Sequence, residues 1–163
     1  MKSMKLGSAS AIMKKRLITA TPYETVAVAA DRMSEYNLGA LLIVENDRLV
    51  GIFSERDILH RVVSRRKDPE TTTLKQVLTP NPSTVTLETS IEKCIELIKT
   101  RGFRHLPVIN EFRNPIGVVY SRDLLQYILG AIEERHHDEG DLSEIFGPKR
   151  SRETRRDDHA RIP

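Results

Sequence analysis

Gly51-Ile52-Phe53-Ser54-Glu55-Arg56-Asp57-Ile58-Leu59 returns as Gly117-Val118-Val119-Tyr120-Ser121-Arg122-Asp123-Leu124-Leu125, 66 residues later. Upstream the spacing is 65, because Thr19, Thr21 and Leu41 return as Thr84, Thr86 and Leu106. One residue has therefore been inserted in the second copy, near Phe112 to Asn114. A fixed period across most of a chain means one supersecondary unit built twice, each copy burying an apolar face against the other. Two copies related by a pseudo-twofold axis leave a cleft between them, and function is expected there.

Working outward from the motif gives the elements of each copy. Ile18 to Ala20 reads as a short extended segment closed by Thr21-Pro22. Val26, Ala29, Ala30 and Met33 recur at helical spacing, which predicts a helix from about Thr25 to Tyr36. Asn37 and Gly39 end it. Leu41-Leu42-Ile43-Val44 is a branched apolar run, hence a strand buried on both faces. Glu45 to Arg48 is a polar turn, and Leu49 to Phe53 the returning strand. Ser54 then caps a second helix reaching about Val63.

The second copy repeats the pattern. Its helix from Ser90 carries Ile91, Cys94, Ile95 and Ile98, its strands cover Leu106 to Ile109 and Ile116 to Tyr120, and its last helix runs from Ser121 to about Ile132. The expected fold is α/β (α+β), two pseudo-twofold-related β-α-β-β-α repeats packed as one module. The divisions are an N-terminal extension at 1–11, a first repeat at 12–66, a linker at 67–82, a second repeat at 83–132 and a charged tail at 133–163. A short helix from Leu74 to Leu78, capped by Thr73, is expected in the linker. The tail, with no helical stripe and many charges, is expected to be disordered.

At 163 residues the chain is long enough for a real core. Its 26 Lys and Arg against 23 Asp and Glu leave a net charge of +3, too mixed for a dedicated nucleic-acid binder. The basic tail lacks the aromatic platforms of a single-strand site. The lone Cys94 excludes an internal disulfide and fits a reducing cytoplasm. No apolar run reaches the roughly 18 residues needed to cross a bilayer. Organelle targeting by the acid-free, basic N-terminus is the lesser reading. His136, His137 and Asp138 lack a third ligand at sensible spacing, so no metal site is expected.

The motif admits two chemistries. Ser54 and Asp57 have the spacing of a capping box, in which the carboxylate reaches back to the cap amide. The same carboxylate can accept both hydroxyls of a ribose, beside a helix start that suits phosphate. In the second copy Tyr120 stands at the cap position and cannot close such a box, yet Asp123 is retained.

The string Gly-hydrophobic-x-Ser-x-x-Asp, preceded by Asn37-Leu38-Gly39-Ala40-Leu41-Leu42-Ile43-Val44, resembles the cystathionine-β-synthase (CBS) domain. Gly102-Phe103-Arg104-His105-Leu106-Pro107-Val108-Ile109 and the lead-in Thr79-Pro80-Asn81-Pro82 resemble it too. The likeness covers about residues 12–132 in two copies, a CBS pair or Bateman module.

That resemblance implies a regulatory binding module without catalysis or catalytic cofactor. Its ligand would be an adenosine nucleotide (AMP, ADP or ATP), less often NAD(H) or S-adenosylmethionine. It further implies that Ser54 and Asp57 meet phosphate and ribose, with Arg56 in the same turn. The base would lie against Thr19, Ala20 and Thr21. Arg104 and His105, beside Pro107, would reach the phosphates from the facing repeat. A weaker second site would use Thr84, Val85, Thr86, Tyr120, Ser121 and Asp123, since its cap residue is Tyr120 and it faces Gly39 and Ala40. One tight nucleotide per chain, at Asp57, is the expectation. The partners implied are a second copy, forming a homodimer, and a regulated protein, with no membrane. The alternative is a ligand-independent protein-interaction or nucleic-acid-binding module using the tail.

Overall fold

A computed structural model describes residues 6–138, with side chains to 134. In the first unit, β1 (Thr19–Ala20) leads to α1 (Val26–Glu35), then β2 (Ala40–Glu45), β3 (Arg48–Ser54) and α2 (Glu55–Asp57), which continues as a π-helix over Ile58–Val63. After a 3-10 turn at Leu74–Gln76 comes β4 (Thr79–Pro80). The second unit holds α3 (Ile91–Arg101), β5 (His105–Ile109), β6 (Pro115–Tyr120) and α4 (Ser121–Asp138).

Local chemistry sets these boundaries. Thr25 caps α1 by accepting from the Val28 amide, and Val26, Ala29 and Met33 form its buried stripe. Ser90 caps α3 by accepting from the Lys93 amide, and Gly102, at φ 66°, ends it in the left-handed conformation. Asn46 and Asp47, with φ 50° and 63°, make the tight turn between β2 and β3.

Three expectations are corrected. The second helix of the first unit is not one α-helix: beyond Asp57 it widens, and the Ser64 amide bonds back to the Leu59 carbonyl. The linker helix is one 3-10 turn, for which the Thr73 side chain provides no cap. The last helix passes Ile132 and reaches Asp138, since Glu133 to Asp138 contains no breaker. The rest of the tail lies outside the described residues.

The sheets show how the copies are joined. The first is ordered β1-β2-β3-β4, with β1 parallel to β2 and the other pairs antiparallel. In the second, β5 and β6 are flanked by single bridges, Val85 to Val108 and Lys14 to Val118. Lys14 thus stands on β6 as Thr79 stands on β3, 65 residues apart in the sequence.

Each unit is completed by the segment that precedes the other. Leu6, Ala9 and Ile12 are buried in the core of the second unit with Val85, Ile91, Leu106 and Val119. Leu74 and Val77 are buried in the first with Val26, Leu41, Ile43 and Phe53. Backbone bonds seal both crossings, among them Ala9 to Thr89 and Leu74 to Glu24. The crossings also explain the glycines that open the motif. A Cβ on Gly51 would fall 2.8 Å from Leu78, and one on Gly117 2.7 Å from Met13. The units meet through Leu42 and Leu49 of one sheet and Val118 of the other, with Ile52, Ile109 and Tyr120 packed around them.

Candidate functional site

Asp57 sits where β3 turns into α2 and is 7% exposed. Its Oδ2 accepts from the Ser54 amide at 2.9 Å and the Ser54 hydroxyl at 2.7 Å. Its Oδ1 accepts from the Thr79 hydroxyl at 3.3 Å and pairs with Arg61 Nε at 3.4 Å. Arg61 also donates to the carbonyls of Val77 and Leu78 at 3.0 and 2.6 Å. A carboxylate offers about four acceptor positions, and all four have a partner here. The reach-back half of the capping box is therefore present, and the guanidinium ties α2 to the crossing segment.

The second copy lacks every one of these partners. Tyr120 replaces Ser54, Lys14 replaces Thr79, and Tyr127 replaces Arg61. Tyr127 donates its hydroxyl to the Leu6 carbonyl at 2.9 Å instead. Asp123 keeps the Lys14 ammonium 3.7 Å from Oδ2 and Arg122 Nε 3.6 Å from Oδ1. Its buried Oδ2 finds no hydrogen-bond donor among the described residues. Such an orphaned acceptor costs about 1–3 kcal/mol. Beside it a pocket of about 270 Å³ opens between α4 and the N-terminal segment, bounded by Met13, Lys14, Asp123, Gln126 and Tyr127.

At the centre, His105 of β5 pairs across the hairpin with Tyr120 of β6, their rings edge to face with centroids 5.4 Å apart. Burial, then the nearby Arg104 charge, holds the His105 pKa below its ordinary value, against the opposing pull of Glu55. Burial, then the Asp123 charge, raises that of Tyr120, which keeps the phenol protonated. The Gly39 carbonyl accepts from the Glu55 amide at 3.1 Å, and its counterpart Arg104 accepts from Ser121 at 3.0 Å. The sheets close tightly here: the cavity among Ile18, Leu38, Leu42, Ile52, His105 and Tyr120 holds about 20 Å³, room for a water.

The residues anticipated from sequence fall into separate groups. Ser54 and Asp57 share one helix start, and His105 approaches it from the facing unit through Gly39 and Glu55. Arg104 is exposed, and its backbone serves the start of α4. Thr19 and Ala20 lie on the edge strand opposite β4, whereas Asp57 touches Thr79 of β4. No hydrogen bond among the described residues links Thr19, Ala20 or Thr21 to Asp57. Val85 is buried, with its amide on the Pro107 carbonyl, and Pro107 is enclosed in β5. Thr84 is half-buried, Thr86 bonds to Thr89, and Arg56 points to solvent. Lys14, Arg61 and Thr79 were not among the expected site residues, although Thr79 belongs to the quoted lead-in. Applying the 65-residue offset to both flanks of the motif would have paired Lys14 with Thr79.

Two repeated α/β units packed through their sheets, each with an aspartate at the start of its second helix, define a paired-repeat module. The chain belongs to the CBS domain family, whose pattern matches residues 9–64 and 74–130. It is similar to an uncharacterized protein of Methanopyrus kandleri, 31% identical over 82% of this chain and 69% of that one. It spans only 18% of the length of CBS domain-containing protein CBSCBSPB5 of Arabidopsis thaliana. Among solved structures, a protein with CBS domains from Burkholderia ambifaria matches with a TM-score of 0.67 and 29% identity, over 71% of this chain and 85% of that one. CBSX2 in complex with AMP matches with a TM-score of 0.68 and 21% identity, over 76% and 97%, a likeness of fold. No helix among the described residues is long and apolar enough to cross a membrane.

Proposed function

We propose that the chain binds an adenosine nucleotide of the AMP, ADP or ATP class beside the cleft between its units and signals occupancy to a protein partner. The observation that carries the reading is the half-buried Asp123 carboxylate, whose Oδ2 has no hydrogen-bond donor among the described residues and which borders a polar pocket. A vicinal diol supplies the two donors such a group lacks. CBSX2, which shares the fold, was crystallised with AMP. The apolar residues around the central cavity form a wall for the base. Exposed Arg16, which lies 5.6 Å over the Tyr36 ring, stands at the edge of that cavity.

A thermal-shift series with AMP, ADP, ATP and GMP tests this. A ligand at 100 times its Kd adds about 2.7 kcal/mol. For a chain of this size that raises Tm by roughly 5–10 °C. If no adenosine compound at millimolar concentration moves Tm, the reading fails.

We also propose a homodimer. Leu59 and Val63 are exposed in the first unit, and their counterparts Leu125 and Leu129 in the second. Four apolar side chains at matching positions on two helices suit a self-complementary face.

A further inference from the structure

We infer that the two units pivot on their hairpin turns: the cleft opens at the helix starts, while the turn end stays joined.

The turn end is held by a bond that the repeat does not supply twice. The Leu49 amide of the first unit donates to the Arg113 carbonyl of the second at 3.0 Å. Among the described residues it is the only backbone hydrogen bond between the β2–β3 and β5–β6 hairpins. The residue matching Leu49, 66 positions later, is Pro115, which has no N–H to return the bond. The crossing carbonyl belongs to the longer turn, the one that carries the inserted residue. That turn is braced from within. Asn110 Oδ1 accepts from the amides of Phe112 and Asn114 at 3.0 and 2.9 Å, and the Asn110 carbonyl accepts from Arg113 at 3.0 Å. With its carboxamide turned over, Asn114 adds a second link, its nitrogen 3.3 Å from the Asp47 carbonyl.

Nothing comparable closes the other end, roughly 20 Å away along β3. Where Gly39 and Glu55 face His105 and Tyr120, no hydrogen bond or ion pair among the described residues joins the units. The Glu55 and Ser121 amides are satisfied within their own units, by the Gly39 and Arg104 carbonyls. His105 packs on Tyr120 of its own hairpin and borders the first unit at Gly39, which offers no side chain. The central cavity, bounded by Leu38, Ala40, His105 and Tyr120, interrupts the apolar contact at this end.

Two bodies bonded at one end and unbonded at the other move as a hinge, with a few loop residues absorbing the rotation. α2 and α4 both start at the unbonded end, so filling or emptying the cleft changes the separation of their starts. Phe112, 64% exposed on the braced turn, keeps its place. That use of the pivot rests on the nucleotide reading above; the pivot itself does not.

Distances between paired spin labels, by electron paramagnetic resonance, test the pivot on the ligand-free chain, diluted with unlabelled chain to suppress pairs between copies. The single cysteine, Cys94, is buried, so labels go to introduced sites. Arg48→Cys with Glu111→Cys spans the turn end, and Arg56→Cys with Arg122→Cys the helix end; all four positions are exposed. The turn-end distances should form one narrow distribution, and the helix-end distances one at least two-fold wider. Deleting Phe112, which gives the second turn the length of the first, should widen the turn end, as should Asn110→Ala, which removes the brace. Should the deletion not fold, Asn110→Ala alone decides. Equal widths at the two ends, or a turn end that stays narrow in every folded turn variant, overturn the inference. AMP should narrow the helix end only. A helix end that is wide without ligand and indifferent to AMP leaves the pivot standing and counts against the nucleotide reading.

Discussion

The imidazole of His105 and the carboxylate of Glu55 both border the bare Cα of Gly39, with atoms 3.5 and 3.6 Å from the point where a Cβ would lie. They belong to different units, and across that boundary the Glu55 charge favours the protonated imidazole, against the larger effect of burial. The His105 pKa lies below its unfolded value, so the folded state prefers the neutral ring. The unfolded chain therefore binds the extra proton first, and stability falls as pH drops below about 6.5 toward the folded pKa. Urea titrations between pH 5 and 8 should show this decline in the wild type and a flatter profile in His105→Gln. Identical profiles would remove His105 as the source.

Gly51→Ala should destabilise the fold by about 1–3 kcal/mol, through overpacking. The new methyl meets Leu78 at 2.8 Å and the Thr79 carbonyl at 3.0 Å, and the carbonyl is backbone with little freedom to retreat. Pairing it with Leu78→Ala should relieve only part of the loss. Complete recovery in the double variant, by chemical denaturation, would show that the Thr79 backbone does not matter.

Removing residues 1–14 should cost several kcal/mol. Leu6, Ala9 and Ile12 are buried in the second unit, and large apolar side chains contribute about 1.5–3 kcal/mol each when buried. Since a domain has only about 5–15 kcal/mol in hand, the truncated chain should be largely unfolded at 37 °C by circular dichroism. A truncated chain with wild-type Tm would contradict the crossing of this segment into the second unit.

Leu59→Glu combined with Leu125→Glu should leave a single-chain mass of 18.6 kDa by light scattering, against twice that for the wild type. These side chains are 56% and 57% exposed, so the change should shift Tm of the isolated chain by no more than about 0.5 kcal/mol equivalent. A wild type already at single-chain mass at tens of micromolar would end the dimer proposal.

Much of the architecture was written locally. The helix starts at Thr25 and Ser90, the left-handed Gly102 and the turn at Asn46-Asp47 depend on side chains and neighbours a few residues apart. The periodicity of Val26, Ala29 and Met33 likewise needs no knowledge of the partner surface. The π-helical widening after Asp57 was not legible, since Arg61 is held by carbonyls 16 and 17 residues further along the chain.

By itself the sequence determined that one unit is built twice, with an aspartate at each second helix start, because a repeat and a cap are properties of order along the chain. Only the tertiary structure decided what each aspartate touches. Lys14 meets Asp123 across most of the chain, and Thr79 meets Asp57 because each unit borrows the segment leading into the other. Such pairings depend on which edge strand closes which sheet. Two similar segments can read alike in sequence and still present a hydroxyl to one carboxylate and an ammonium to the other.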